Sequence, residues 1–248
     1  MSRIPVQTYE RTPQRLPLET VLNEPIGVFS NYCLDFDGGV NNQYIRTPVI
    51  NLAAPYTIVQ WVRNRSFPAI IAPGVWSKAT TQLRFGTAIG GFLRLRGTDG
   101  TEYPSIFNIP LNTWSFIGVR ANSSTDFDFI RNGVVLDNFV VPIGTIEEAL
   151  NQFEIGRDAW WPSYHDGFID EFQLIAGVVT DADLREIFAR GYARRVAGSI
   201  VNLRMEESAG LMAFDDSGLG NNGDLIPALT PPTWTDVAKY ELLAEAGV

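Results

Sequence analysis

Residues 114–141 read WSFIGVRANSSTDFDFIRNGVVLDNFVV, and this stretch indicates the fold class of the chain. It contains three runs rich in β-branched and aromatic residues, at 114–119, 127–130 and 134–141. The pair Asn132-Gly133 between the last two runs is favoured in tight β-hairpin turns, because both residues adopt positive φ at low cost. Strands that return on themselves at such turns predict antiparallel β-structure.

Similar runs, separated by turn residues, continue on both sides of this stretch. Apolar and polar residues alternate in several of them, as expected for strands with one buried face. Trp61 and Trp114 lie in such runs, and we interpret both as core residues. Many short strands predict an all-β fold, an antiparallel β-sandwich of the jelly-roll type. The further strand candidates are 32–36, 57–62, 83–85, 93–95, 153–156 and 168–175.

Two short helices are predicted beside the strands. Thr180 is placed to cap a helix near 181–190, which Gly191 can end and which we expect to pack on the rim of the sandwich. Thr235 is placed to cap a second helix close to the C-terminal end of the sequence.

The chain divides into three predicted regions. We expect an extended N-terminal arm at 1–27, a jelly roll at 28–234 whose closing strands lie within 199–226, and a C-terminal helix or tail at 235–248. The arm carries four prolines and few apolar residues, so it cannot build a core of its own. Segments without a core fray unless they are held, so we expect neighbouring subunits to bind the arm.

The charge balance argues against two classes of partner. The 248 residues include 19 Lys and Arg against 28 Asp and Glu, a formal net charge of −9. An acidic chain repels nucleic-acid phosphates and anionic membranes, so we expect neither as a partner. The single Cys33 and single His165 exclude thiol-rich and histidine-rich metal sites. The first residues lack the apolar core of a secretory signal, so we expect synthesis in a host cytoplasm without Sec export.

Four groups of motifs follow one another along the chain: 34–38 with 44–45 and 55–62; 114–119 with 131–133; 153–156 with 167–172 and the helix from Thr180; and 214–218 with 221–223 and 232–234. Taken in order, these groups resemble the LamG-like jelly roll of the concanavalin A-like lectin/glucanase superfamily. The resemblance implies a two-layer sandwich and covers most of 28–235. In that family the Asp-x-Ser-Gly segment usually precedes the first strand, whereas here it follows the predicted helix. A permuted strand order could build the same sandwich, and the segment could also be the stub of a second copy.

The chain lacks the acidic motif of the superfamily's glucanases. These enzymes place their acids in a Glu-x-Asp-x-x-Glu strand, and no such string occurs here. Asp35 and Asp37 have a spacing that suits a pair of catalytic carboxylates, but the resemblance places them at a strand with structural duties. Asp170 and Glu171 are adjacent, and in a regular strand they would point to opposite faces. We therefore predict that the chain is not an enzyme.

The resemblance implies one possible cofactor, calcium, and we expect that the fold does not require a cofactor. The resemblance implies calcium near the Ile-Asp-Glu strand and the Asp-x-Ser-Gly loop, which Asp170 and Asp215 match, and Asn221 adds an amide oxygen. The alternative is that these side chains only cap turns.

Two groups of residues are candidates for binding a glycan or a protein partner. The loop at 157–165 carries Trp160, Trp161 and Tyr164, whose rings would either stack on a ligand or fold back as a lid. Arg84, Arg94 and Arg96 fall on one face of a predicted hairpin. They would either contact an acidic partner or form a solvated face with weak ion pairs.

Three functions follow from these observations. The first is a non-enzymatic structural protein, a surface or decoration subunit of a virion such as a phage head, anchored by its arm and assembled as a homo-oligomer. The near-exclusive use of arginine over lysine is typical of protein interfaces, although codon bias explains it equally well. The second is a calcium-dependent carbohydrate-binding module that recognises a surface glycan. The third, a glucanase, is supported only by superfamily membership.

Overall fold

A computed structural model describes residues 32–67, 74–78, 82–160, 163–191 and 196–236. Within these residues the chain forms eighteen strands, one α-helix and a single 3₁₀ turn at Ile89–Gly91. In chain order the elements are β1 (Tyr32–Asp37), β2 (Tyr44–Leu52), β3 (Tyr56–Asn64), β4 (Gly74–Lys78), β5 (Arg84–Thr87), β6 (Phe92–Arg96), β7 (Glu102–Asn108), β8 (Ser115–Ser123), β9 (Asp126–Arg131), β10 (Val134–Val140), β11 (Glu148–Ile155), β12 (Arg157–Asp158), β13 (Ser163–Tyr164), β14 (Asp166–Ala176), α1 (Asp181–Arg190), β15 (Ser199–Leu203), β16 (Met212–Ala213), β17 (Gly223–Ile226) and β18 (Thr233–Asp236).

The strands form two antiparallel sheets, which confirms the predicted β-sandwich. Sheet A has the order β10-β9-β8-β3-β14-β1-β18, and β15 also pairs with β14. Sheet B has the order β16-β17-β2-β11-β4-β5-β6-β7. The short strands β12 and β13 pair separately as a hairpin.

The main core lies between the two sheets, because alternate side chains of each strand point inward. Phe85 of sheet B stacks on Phe129 of sheet A with 6.0 Å between ring centroids. Phe153 of sheet B meets Phe172 of sheet A, also at 6.0 Å. These rings are fully buried, and burying each one stabilises the fold by roughly 1.5–3 kcal/mol.

A second core covers the outer face of sheet A. The Thr180 hydroxyl accepts a hydrogen bond from the Asp183 amide and begins α1, and Gly191 ends it in the left-handed conformation, as the sequence predicts. Phe188 of α1 stacks on Trp61 at 5.5 Å. Trp61 and Trp114 both belong to this core and are 1% and 4% exposed, as predicted.

The order of the closing strands follows the permuted arrangement. β17 pairs with β2, and β18 pairs with β1, so the segment after α1 completes the same two sheets. Thr235 and Asp236 lie in β18, where they pair with Cys33 and Tyr32. The prediction that Thr235 caps a helix is therefore wrong, because the edge of β1 recruits this segment as a strand.

Several predicted features fall outside the described residues. The arm at 1–27 and the remainder of the C-terminal region, 237–248, are among them. Both stay predictions. None of the helical segments that the structure describes has the length and apolar character needed to cross a lipid bilayer.

One lysine lies inside the main core. Lys78 has no exposed surface, and its Nζ donates hydrogen bonds of 2.7 Å to the carbonyl oxygens of Ile50 and Asn151. The same Nζ lies 4.1 Å from the ring centroid of Phe153. Burial lowers the pKa of Lys78 to about 7.

Candidate functional site

A row of directly paired residues crosses the outer face of sheet B from β17 to β7. Paired residues on adjacent strands share one face of a sheet, and their sequence neighbours, such as Trp76 and Phe85, lie in the core. The outer face of this sheet is therefore polar along the row. We call the set the polar row; its members, in spatial order, are Asp224, Arg46, Glu154, Ser77, Arg84, Arg96 and Glu102.

The three predicted arginines meet on this face around one glutamate. Glu102 lies 2.6 Å from Arg94, 3.4 Å from Arg96 and 3.8 Å from Arg84. Arg84 is only 8% exposed, and its Nε lies 3.0 Å from the buried carboxylate of Asp158. Burial lowers the pKa of Arg84, and the two carboxylates oppose that effect. Three guanidinium groups thus share two carboxylates.

The loop at 157–165, which carries the predicted aromatic residues, forms the hairpin β12–β13 on the outer side of β4. The Ser77 hydroxyl donates to the Arg157 carbonyl and accepts from the Ala159 amide, both at 3.0 Å. The Asp158 carboxylate accepts the Trp160 amide at 3.0 Å. These bonds fix the backbone at Trp160, while its side chain is 52% exposed.

Trp160 thus has a fixed backbone and an exposed ring, and it follows by two residues Asp158, which forms the ion pair with Arg84. Trp161 lies outside the described residues. Tyr164 is half-buried in β13. Of the six predicted binding residues, the structure brings Trp160, Tyr164 and the three arginines to the outer side of sheet B.

A second cluster on this face joins Tyr164 to four residues that were not predicted from the sequence. The Arg157 guanidinium lies 4.8 Å from the ring centroid of Tyr44 and 5.6 Å from that of Tyr164. Glu154, which is 2% exposed, pairs with Arg46 at 2.9 Å and with Arg157 at 3.4 Å. The alternation of Tyr44 and Arg46 around a buried isoleucine is the sequence pattern that could have indicated it.

Asp35 and Asp37, the two acids whose spacing suits catalysis, form an ion pair and a turn that stabilise the fold. Asp35 forms an ion pair with Arg65, which also lies 3.3 Å from Asp166. Asp37 accepts the backbone amides of Gly39 and Asn41 at 3.2 Å and so closes the turn after β1. Neither carboxylate faces the polar row.

Asp170 and Glu171 do not follow simple strand alternation. The pairing of β14 with β3 shifts between Asp170 and Gln173, and Glu171 has a φ of +54°. This is a β-bulge, which adds a residue on one strand only. Asp170 and Glu171 are both buried, so the expectation that they point to opposite faces does not apply here.

The residues proposed for calcium act as turn caps. The Asp215 carboxylate accepts the amides of Asn202, Ser217 and Asn221 and the Ser217 hydroxyl, at 2.7–2.9 Å. Asn221 donates its side-chain amide to the Ile200 carbonyl at 2.8 Å.

These donors occupy the oxygens that a calcium ion would need. In Asp170, Oδ1 accepts the Glu171 amide. No group of three His, Cys, Asp or Glu side chains in the described part of the chain could hold a metal ion. In this arrangement the carboxylates of Asp170 and Asp215 accept hydrogen bonds from the protein, and calcium binding would require these bonds to be replaced.

The fold and its motifs can be compared with known families. A family model described as the concanavalin A-like lectin/glucanases superfamily matches residues 37–185, more than half of the chain. The chain belongs to this superfamily. The resemblance drawn from the sequence motifs is thereby confirmed.

Solved structures of lectin-like domains resemble the superfamily fold seen here. No curated protein sequence matches the chain. A candidate carbohydrate binding protein from Bacteroides ovatus aligns with a TM-score of 0.59 and 15% identity, over 78% of this chain and 57% of that protein. Domain 4 of the extracellular arabinanase AbnA from Geobacillus stearothermophilus, solved with arabinotriose, aligns with a TM-score of 0.51 and 18% identity, over 60% and 74%. The heptameric SAP-like pentraxin of Limulus polyphemus aligns at 0.52 and 12%, over 64% and 82%. At these identities the likeness shows the fold alone.

Proposed function

We propose that this chain is a non-catalytic carbohydrate-binding module whose binding face is the outer side of sheet B. The observation that carries the proposal is the exposed side chain of Trp160 on a backbone that is hydrogen-bonded beside the polar row. An aromatic ring held in this way offers a flat apolar surface to the C–H face of a sugar. The fixed backbone limits the entropy that is lost when a ligand is bound.

The three arginines on the outer face of sheet B supply hydrogen-bond donors on the same side of the sandwich. Arg94 and Arg96 keep 32% and 27% of their side chains exposed, so their guanidinium groups are accessible to a ligand. With Arg84 they carry three positive charges against the two negative charges of Glu102 and Asp158. This local surplus stands on a chain of net charge −9, and it favours a glycan that bears a carboxylate or a sulfate.

Coverage of the two sheets is the reason for choosing sheet B. The second core and α1 lie on the outer side of sheet A. On the outer side of sheet B, the described residues place only the hairpin β12–β13, which itself carries Trp160. The accessible charged groups of this face, Arg94, Arg96 and Glu102, and the exposed ring of Trp160 therefore lie on the same side of the sandwich.

The absence of catalysis is part of the proposal. Among the described residues, the acid pair with glycosidase spacing, Asp35 and Asp37, serves an ion pair and a turn. The binding part of the proposal is supported by one of the solved relatives, a domain in complex with arabinotriose.

Glycan-array binding tests the proposal with two matched variants. Trp160→Ala removes the exposed ring, and Phe214→Ala removes a ring of similar exposure, 52% against 54%, that lies outside the polar row. We expect the wild-type chain to bind glycans with uronate or sulfate groups. Trp160→Ala should weaken this binding by about tenfold or more, as expected for an aromatic anchor, while Phe214→Ala leaves it unchanged. No binding by the wild type, or equal binding by Trp160→Ala, would refute the proposal.

The assembly role and virion location predicted from the sequence remain compatible proposals. They depend on the arm at 1–27, which lies outside the described residues. Deleting 1–27 should leave the melting temperature of the sandwich unchanged and abolish incorporation into the assembled particle. Normal incorporation of the shortened chain would remove this role.

A further inference from the structure

A groove lies at one end of the sandwich, where two connections pass side by side between the sheets. The 38–43 connection leads from β1 in sheet A to β2 in sheet B, and the 227–232 connection leads from β17 in sheet B to β18 in sheet A. They lie together because β1 pairs with β18 and β2 pairs with β17. The end groove has a volume of about 480 Å³; it is lined by Asn41, Gln43, Ser208, Gly210, Thr230, Pro231, Pro232, Thr233 and Trp234.

The walls of the end groove are fixed by hydrogen bonds. Gln43 is 6% exposed; its side-chain oxygen accepts the Asp37 amide at 3.0 Å. Its side-chain nitrogen donates to the carbonyls of Thr230 and Pro231 at 3.2 and 2.8 Å, and so ties the two connections together. The Trp234 ring N–H donates to the Gly210 carbonyl at 3.0 Å. This bond ties Gly210, which also lines the groove, to β18. A site built before the ligand arrives loses less entropy on binding.

The chemistry of the lining selects a neutral ligand with many hydroxyl groups. The side chains of Ser208, Thr230 and Thr233 contribute hydroxyls, Asn41 contributes an amide, and Trp234 contributes an indole. Hydroxyls and amides both donate and accept hydrogen bonds, as sugar hydroxyls do. No charged side chain of the described residues lines the groove, so nothing there compensates an ionised ligand.

We infer that the end groove is a second carbohydrate site, which binds a neutral oligosaccharide against Trp234. Its volume is large enough for a short oligosaccharide, and because the groove is open to solvent the ligand would lie along it with one side exposed. Its lining residues lie in the 38–43 and 227–232 connections, at Ser208 and Gly210 and at the start of β18, and include no residue of the polar row. The two sites therefore differ both in place and in the charge of the ligand that they select.

Paired arginine substitutions one residue apart test this site. Thr230→Arg places a long charged side chain in the lining, whereas Leu229→Arg places the same side chain on a neighbour that is 95% exposed and outside the lining. The probes are neutral gluco-, xylo-, galacto-, manno- and arabino-oligosaccharides, screened on an array and titrated by calorimetry. We expect at least one to bind at millimolar concentration. Its affinity should fall by about tenfold or more in Thr230→Arg, the loss expected when a binding pocket is blocked, and remain in Leu229→Arg and Trp160→Ala.

Three results would overturn the inference. They are no binding of any neutral oligosaccharide, binding that survives in both Thr230→Arg and Asn41→Ala, and binding that Trp160→Ala removes. The last result would assign the neutral sugar to the Trp160 face. Loss of acidic-glycan binding is measured in the same variants, so failure of the Trp160 face and failure of the end groove are distinguishable.

Discussion

Replacement of Lys78 by methionine should remove a pH-dependent part of the stability of the fold. Lys78 is buried in the main core, where its ammonium group has lost its water shell. Two carbonyl oxygens and the Phe153 ring replace that water only in part. The neutral amine needs two acceptors, and the carbonyls of Ile50 and Asn151 provide them.

The sign and size of the effect follow from the pKa of Lys78. Burial lowers this pKa from 10.5 to about 7. Between these two values the unfolded chain binds the proton and the folded chain does not, so the free energy of unfolding rises with pH. The lysine destabilises the fold most at pH 7 and below, and the rise from pH 7 to pH 10 amounts to about 3 kcal/mol.

Urea denaturation at pH 7, 8, 9 and 10 measures this rise directly. We expect the free energy of unfolding of the wild type to increase across the series relative to that of Lys78→Met. Lys239→Met, which removes the only other lysine, is the matched control and should keep the rise. Parallel curves for the wild type and Lys78→Met would refute the reasoning, because Lys78 would then carry the same charge in both states.

Three further predictions concern other groups. His165 is fully buried, and burial lowers its pKa to about 4. The free energy of unfolding should therefore fall by about 3 kcal/mol as the pH drops from 6.5 to 4. Urea denaturation should show a smaller fall in His165→Phe. Asp215→Ala should lower the free energy of unfolding by about 1–3 kcal/mol, because several hydrogen-bond donors lose their acceptor. Millimolar calcium should leave the melting temperature of the wild type unchanged. A rise in melting temperature that Asp215→Ala abolishes would instead establish that calcium binds at Asp215. Glu102→Gln should strengthen binding of an acidic glycan roughly fivefold, equivalent to ~1 kcal/mol, because it frees the arginines; calorimetry that shows weaker binding would mean that Glu102 positions them.

The sequence predicts those parts of the fold that depend on local pattern. Alternation at Leu34 and Phe36, and at Leu83 and Phe85, identifies core side chains, and the caps of α1 are correct. The sequences of β2 and β7 are less typical of strands, because each contains a proline. Pro104 lies in β7, an edge strand, where a missing backbone N–H is tolerated.

The candidate site could be predicted only in part, because its assembly depends on strand register. The hairpin of Arg84, Arg94 and Arg96 follows from sequence pattern, whereas their contact with Glu102 needs β7 to pair with β6. Asp158 reaches Arg84 only because the hairpin β12–β13 folds onto β4. The error at Thr235 has the same origin, since a local capping pattern does not reveal the free edge of β1.

The pairing of Tyr32 with Asp236 has a consequence for how such domains are built and rebuilt. The first and last described residues of the sandwich are neighbours on adjacent strands, within reach of a linker of a few residues. Opening the chain between α1 and β15 and joining these neighbours would move the closing strands to the front of the chain. Shuffling of gene segments can therefore change the order of the strands along the chain while the packed sandwich stays the same. A link between Tyr32 and Asp236 also offers protein engineers a route to circular permutants.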